Sequence, residues 1–398
     1  MGYPVSTKTV NFYKFLKKES DAIFAGSHSV HTPESLVNEI LSQIPDLSNK
    51  KILVLFNVEF VISLVYTYNV NIKDITFYSD HDDKTEFVKL IGDINIINNL
   101  GNLNMKFDVV VGNPPFQGDK GNGTRAEQLF AKFVYKAFSL TDNLYMVLPS
   151  LWTHKPNKLK ETLINKGMTT VVACSKHFDR VGIPTCYVMV TANKKDTITI
   201  VTESGFKTEV SASPTIQMNL NSESNITESI LSKIKSDNHL GKLWKRSSIY
   251  NNDISMGHGN TNIVTIIDTA TETIEYSTTT TALSDFPYYN SWKVITNLNL
   301  GSPKIGVTKV LGPNIATSYS IIAFGVKDET QAESLKSFFD SKLISFVFKQ
   351  TKNTVSKNRN IFERISTVNL DKPWADAELY NHFKLTKEEI EYIESNVK

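Results

Sequence analysis

The chain reads as an α/β protein: a mainly parallel, doubly wound, Rossmann-like sheet followed by a mixed α+β domain. Three observations predict this. In the first half, apolar runs of strand length alternate with helical stretches, the order that builds parallel sheets from crossover units. The texture then changes to Ser-, Thr- and Asn-rich sequence with short β-like pieces, among them Thr197 to Thr202, Ile263 to Ile267 and the run Thr278 to Thr281. Finally, 398 residues exceed one ordinary hydrophobic core, so two domains are expected.

A short Phe- and Lys-rich helix is expected from Asn11 to Ser20. Thr32 is then placed to cap a helix with Pro33 in its first turn, and Leu36, Val37, Ile40, Leu41 and Ile44 give it an apolar stripe. Lys51 to Phe56 has the pattern of a buried strand, Glu59 to Tyr66 of a crossover helix, and Ile75 to Asp80 of a second strand ending on an acid. A helix from Lys84 to Ile91, a strand from Ile94 to Ile97 and a strand from Phe107 to Gly112 lead to Asn113-Pro114-Pro115-Phe116.

Helix Ala126 to Leu140, strand Leu144 to Leu148, helix Asn157 to Lys166, and strands Val171 to Ser175 and Cys186 to Thr191 complete the sheet domain. The expected boundary falls at Ala192 to Lys195, giving a helical segment over 1–45, a catalytic domain over 46–195 and a second domain over 196–398. Helices Glu329 to Ser341 and Leu343 to Gln350 follow, and Thr386 to Asn396 closes the chain with Thr386 and Glu389 as a capping box.

Lys and Arg total 43 against 41 for Asp and Glu, so any nucleic-acid-facing charge has to be local. Cys174 and Cys186 are the only cysteines. They are too few for a disulfide framework and lack metal-ligand spacing, which fits a reducing cytosol and a protein without a metal. The sequence starts without an apolar signal core and contains no apolar stretch of membrane-spanning length, so a soluble, cytoplasmic protein is expected.

The chemistry concentrates in Asn113-Pro114-Pro115-Phe116. The tetrapeptide follows a buried strand, at the edge where open α/β sheets collect their ligands. Two prolines fix the backbone and remove two donors, so the carbonyls project as acceptors beside the Asn113 side-chain oxygen. An exocyclic amino group has two hydrogens to give. Accepting both turns its nitrogen lone pair towards an electrophile held in line, an effect of positioning and electrostatics. Phe116 would stack on the base. The competing structural role for such a Pro pair is a rigid strand-to-loop turn.

At these residues the chain resembles the gamma-order adenine-N6 DNA methyltransferases, including the Taq-type and Eco57I-type families. The resemblance implies a Rossmann-like S-adenosylmethionine-dependent domain followed by a target-recognition domain. It implies that the segment Gly26 to Pro33, with His31, Thr32 and Pro33, encloses the cofactor, that Asp80 binds the cofactor ribose, with Asp82 nearby, and that Asn113 also contacts the cofactor. Leu144 to Trp152 resembles the family strand and loop downstream of the catalytic motif. In the stretch His177 to Cys186, Phe178 takes the place of the aromatic that sandwiches an extruded base against Phe116.

Two features depart from the family pattern. The first strand normally ends in a Gly-rich turn, whereas Leu55-Phe56-Asn57-Val58-Glu59-Phe60 has no glycine. Asn57 and Glu59 are left as the polar cofactor contacts, and bulkier side chains there are expected to narrow the methionine pocket. The acid after the third strand is replaced by Asn98 to Asn102, with Asn99 a candidate for adenine contact.

For DNA, the Gly-rich stretch after the tetrapeptide reads as a lid or a surface loop, and Arg125 follows it. Lys349, Lys352, Lys357 and Arg359, interleaved with Asn and Ser, suit phosphate contacts. The expected activity is methyl transfer from S-adenosylmethionine to adenine N6 in duplex DNA after base flipping, by a monomer that shares its system with a cognate restriction endonuclease. The alternative is an inactive methyltransferase-fold DNA-binding protein without cofactor affinity, favoured by the glycine-free turn.

Overall fold

The computed structural model describes residues 31–101, 103–116, 129–153, 156–178, 183–216, 218–299, 305–351, 357 and 359–397. The chain divides into two compact units, Met1–Leu220 and Asn221–Lys398. The helix expected from Asn11 to Ser20 lies outside the described residues.

The first unit is built on a nine-stranded sheet. Its strands are β1 (Ile52–Leu55), β2 (Ile75–Tyr78), β3 (Asn95–Ile97), β4 (Val109–Gly112), β5 (Leu144–Pro149), β6 (Met168–Ala173), β7 (Thr185–Val190), β8 (Thr197–Val201) and β9 (Lys207–Ser211). Their order across the sheet is β3-β2-β1-β4-β5-β7-β6-β8-β9. Neighbours from β3 through β5 are parallel. β7 runs antiparallel between β5 and β6, β8 returns parallel to β6, and β9 closes as an antiparallel hairpin. The fold class expected from the alternating pattern is the one observed.

Helices cover both faces: α1 (Glu34–Leu41), α2 (Val58–Tyr66), α3 (Asp82–Ile91), α4 (Leu129–Ala137) and α5 (Lys158–Asn165). Strand β1 shows why the strands read as unbroken apolar runs. Ile52 and Val54 point into the layer with α1 and α2, while Leu53 and Leu55 point into the layer with α4 and α5. Alternate side chains face opposite sides of a sheet, and both sides here are dry.

The boundary expected at 195 moves to Leu220. β8 and β9 extend the sheet rather than opening a new domain, and Met218 and Leu220 are buried in its core. The fully buried Lys160 of α5 donates to the carbonyls of Thr153 and Ile216, each at 2.7 Å. Residues 31–45 are likewise no separate body, since Leu36, Val37, Ile40 and Leu41 of α1 belong to the same core as β1.

The second unit joins α6 (Asn225–Ile234) to a four-stranded antiparallel sheet in the order β10-β16-β13-β14 and a three-stranded sheet β12-β11-β15. The strands are β10 (Trp244–Arg246), β11 (Met256–Ile267), β12 (Ile274–Thr279), β13 (Trp292–Asn297), β14 (Thr308–Leu311), β15 (Ala316–Thr317) and β16 (Ile321–Val326). Helices α7 (Glu329–Phe339), α8 (Lys342–Thr351), α9 (Arg359–Phe362), α10 (Asp376–His382) and α11 (Lys387–Asn396) complete it. Its core is rich in phenylalanine, with Phe324 edge-on to Phe339 and Phe362 at centroid distances of 4.9 and 4.8 Å. The capping box of the closing helix forms as expected: Thr386 Oγ accepts from the Glu389 amide at 3.2 Å, and Glu389 accepts from the Thr386 amide at 2.7 Å.

Candidate active site

Chain order runs outward from β1 to β3 on one side and from β4 to β5 on the other. The reversal leaves a crevice at the carboxyl ends of β1 and β4, the switch point where open sheets of this kind hold ligands. Leu55 and Gly112 end the two strands side by side. A Cβ on Gly112 would stand 2.5 Å from the Leu55 carbonyl oxygen and 2.8 Å from the Leu55 Cβ, so only glycine permits this approach.

Beyond Leu55 the chain makes a tight turn. Phe56 has φ of 70°, and the Asn57 amide donates back to the Leu55 carbonyl at 3.0 Å. This is a three-residue turn with the central residue in the left-handed region, which costs a non-glycine residue about 1–3 kcal/mol. The Phe56 ring offsets that cost. It is 2 % exposed and packs edge-on against Tyr78 and Phe133 at 5.0 and 4.7 Å. The backbone therefore takes the course a glycine would allow, and the ring goes into the hydrophobic layer under α4. The expectation that bulk at this turn narrows the crevice is corrected for Phe56.

The turn brings Asn57 to Thr32 and Asn113, residues far apart in sequence. Thr32 Oγ accepts from the Asn57 amide nitrogen at 3.0 Å and from the Asn113 amide nitrogen at 3.3 Å. Asn57 Oδ1 accepts from the Asn113 backbone N–H at 2.9 Å. Thr32 and Asn57 are fully buried and Asn113 is 2 % exposed. Both lone pairs of the threonine hydroxyl are occupied, and the Asn113 amide is fixed with its oxygen turned away from Thr32. Pro114 and Pro115 are buried behind it.

Thr32 was expected as a helix cap. Instead Pro33 occupies that position without a side-chain cap, because the Thr32 hydroxyl is committed to the two asparagines. Glu59, in the first turn of α2, is also fully buried. Its Oε1 accepts from the Thr32 backbone N–H at 3.0 Å and lies 2.6 Å from His31 Nδ1. A carboxylate here also meets the positive end of the α2 dipole. Asn57 and Glu59 thus hold His31-Thr32-Pro33 against the strand ends.

Asp80 is exposed just beyond β2. Lys84, in the first turn of α3, is fully buried. Burial lowers its ammonium to about 8, against the opposing pull of Glu59 and Asp80. Sequence reading missed Lys84, because a lysine in a charged helix start ordinarily signals a solvated face. Asn99 receives the Gly101 amide at 2.7 Å and so caps its own turn.

Phe116 is half-buried and borders both hydrophobic layers of the sheet. Its ring stands edge-on to Phe130 at 6.4 Å. It forms part of the wall of a cavity of about 520 Å³ lined also by Tyr135, Leu151, Trp152, Lys158 and Ile183, a volume in the range of small-molecule sites. Phe178 packs against the layer that Phe116 borders on the α1 side. Gly26 to Val30, Gln117 to Arg125, Asp179 to Gly182 and Lys352 lie outside the described residues.

In the second unit Lys357 corrects the sequence expectation. It is fully buried, and its ammonium donates to Thr296 Oγ and the Ile305 carbonyl. It serves the interior and cannot reach phosphate. Arg359 is about half exposed, with Nε 3.3 Å from the Glu363 carboxylate, and Lys349 is exposed near the Asn396 carbonyl at 3.5 Å.

The sheet order defines the first unit as a Rossmann-like α/β domain. Residues 40–178 match the family described as the Eco57I restriction-modification methylase. An uncharacterized adenine-specific methylase of Mycoplasma pneumoniae is 46% identical over 54 residues, which span 12% of either chain.

Among solved structures, the type IIG restriction endonuclease BpuSI is similar at 10% identity and a TM-score of 0.47, over 95% of this chain and 63% of its own. The type IIL restriction-modification enzyme MmeI, solved in complex with DNA, is similar at 11% identity and a TM-score of 0.45, over 89% of this chain and 66% of its own. A type I restriction-modification methyltransferase subunit from Streptococcus thermophilus is similar at 13% identity and a TM-score of 0.38, over 48% of this chain and 50% of its own.

Proposed function

We propose that this protein transfers a methyl group from S-adenosylmethionine to N6 of an adenine flipped out of duplex DNA. The observation that carries the reading is the Thr32–Asn57–Asn113 network. It joins the Thr-Pro segment, the end of β1 and the Asn-Pro-Pro-Phe tetrapeptide at the switch point of an Eco57I-type domain.

With Asn113 Nδ2 held by Thr32, Asn113 Oδ1 is set as an acceptor beside the Pro114 carbonyl. Together they take the two hydrogens of an exocyclic amino group and leave its lone pair directed out of the base plane. Phe116 and Phe178 hold the base by stacking. S-adenosylmethionine, when bound, supplies the electrophilic methyl group.

The residues present fit that cofactor. Asp80 stands exposed beyond β2, with two carboxylate oxygens for a ribose diol. His31, Thr32 and Pro33 are held against the strand ends by Glu59 and Asn57. The turn at Phe56 supports cofactor binding rather than an inactive DNA-binding relative, because its backbone has the shape that a glycine gives. Duplex DNA is the macromolecular partner, Lys349, Arg359 and Arg125 are candidate phosphate contacts, and a restriction endonuclease of the same system is the companion activity.

The test is calorimetric titration with S-adenosylmethionine, followed by tritium transfer from the labelled cofactor to unmodified DNA. Binding and label in DNA are expected. A protein that neither binds the cofactor nor labels any DNA would sink the proposal.

A further inference from the structure

The residue before Phe178 is tied to helix α1. His177 Nδ1 is 3.0 Å from Ser35 Oγ, and His177 Nε2 is 3.2 Å from a Glu39 carboxylate oxygen. The other Glu39 oxygen accepts from the Tyr187 hydroxyl of β7 at 3.0 Å. Ser35 and Glu39 are four residues apart, so they stand on one face of α1, while Leu36, Val37 and Ile40 fill the core from the opposite side. The His177 side chain is 13% exposed.

The same turn, Ser175–His177, is held at two further points. A Glu203 carboxylate accepts from the backbone N–H of Ser175 at 2.6 Å and of Lys176 at 3.3 Å. The Ser175 hydroxyl donates to the Thr185 carbonyl at 3.3 Å and accepts from the Thr185 amide at 2.9 Å. Packing alone would keep a surface turn near the sheet. Three polar attachments from three different elements fix its last residue, His177, and so where the next residue, Phe178, begins.

The N-terminal end of α1 is Pro33, next to Thr32, the residue that orients Asn113. Eight residues of helix span about 12 Å, so one rigid rod runs from the threonine that sets the amino-group acceptor to the pair that sets the stacking aromatic. We infer that Ser35, Glu39 and His177 form a clamp that positions Phe178 relative to Asn113, making them positioning residues for the flipped base. The inference rests on the reading of Phe178 as a base-stacking residue.

The test uses the full-length protein and two variants, His177→Leu and His177→Gln. Gln keeps one donor and one acceptor for Glu39 and Ser35; Leu keeps neither. The first readout is amide hydrogen exchange at Ser175 to Phe178, which needs no activity. The second is methyl transfer to DNA, with the emission of a duplex carrying 2-aminopurine at the adenine that the wild type methylates.

In His177→Leu, exchange in the turn rises at least tenfold, affinity for S-adenosylmethionine stays within twofold, and kcat/KM for DNA falls by about 10- to 100-fold, as for a small misplacement of a binding group. The rise in 2-aminopurine emission on binding changes with it, and His177→Gln restores most of each effect. Unchanged exchange in His177→Leu overturns the clamp, as does raised exchange with wild-type transfer and emission. A wild-type protein that labels no DNA is a different outcome: it overturns the proposed function, and the stacking role of Phe178 with it.

Discussion

Thr32 shows how one hydroxyl decides the chemistry available to another residue. Its oxygen accepts from both Asn57 and Asn113, so Thr32→Val keeps the shape of the side chain and leaves two buried N–H groups without that partner. Each unsatisfied donor costs about 1–3 kcal/mol. The first unit is expected to lose about 2–6 kcal/mol in a urea titration, and methyl transfer to fall by about 10²–10³, the effect of losing an aligned acceptor. Transfer at the wild-type rate would show that Asn113 needs no orientation from Thr32.

Lys357 makes the contrasting case. Its ammonium is spent on Thr296 and Ile305 inside the second unit. Lys357→Met is therefore expected to cost about 1–3 kcal/mol of stability and to leave the salt dependence of DNA binding unchanged. Loss of a phosphate contact would instead reduce the slope of log K against log salt by about one.

Strands β1 and β4 meet at Leu55 and Gly112, and their meeting sets the position of everything beyond them. In Gly112→Ala the new methyl would overlap the Leu55 carbonyl and Cβ. Both belong to a central strand that cannot step aside, so overpacking of about 1–3 kcal/mol or more follows. Activity falls further than stability, because Asn113 moves with the strand end. Thermal melting beside a transfer assay separates the two, and equal activity at a lowered melting point would contradict this placement.

Elements of this unit were legible because their patterns are local. Strands β1, β4 and β5 are unbroken apolar runs and β2 is interrupted only by Thr76, and the α1 stripe has helical spacing. The Thr32 network was not legible, since it joins residues whose sequence separations are 25, 56 and 81. Nor was the turn at Phe56, where ring burial outweighs a backbone preference. In the second unit, β13 and β16 lie among Ser- and Thr-rich segments whose pairing partners are distant in sequence. The β8–β9 hairpin was missed as part of the sheet because β9 alternates exposed and half-buried residues with little apolar content.

At the scale of the whole molecule, Lys84 links the site to stability through pH. Its folded-state value near 8 lies below the ordinary lysine value of 10.5, so the native state binds the proton less tightly than the unfolded chain. Folding stability contributed by this group therefore rises as pH climbs from 8 towards 10.5. Wild type is expected to gain about 2 kcal/mol relative to Lys84→Met between pH 8 and pH 10. Denaturant titrations of both proteins at the two pH values read this difference. Parallel pH profiles would mean that Lys84 titrates as a solvated lysine.

The central claim is that Asn113, set by Thr32 and Asn57 at the end of β4, accepts hydrogens from an adenine amino group during methyl transfer. Mass spectrometry of nucleosides from DNA incubated with the protein and S-adenosylmethionine tests it most directly. The account predicts N6-methyldeoxyadenosine with the wild-type chain and a loss of at least a hundredfold with Asn113→Ala. Methylation on another atom, or undiminished N6-methyldeoxyadenosine with the variant, would contradict it.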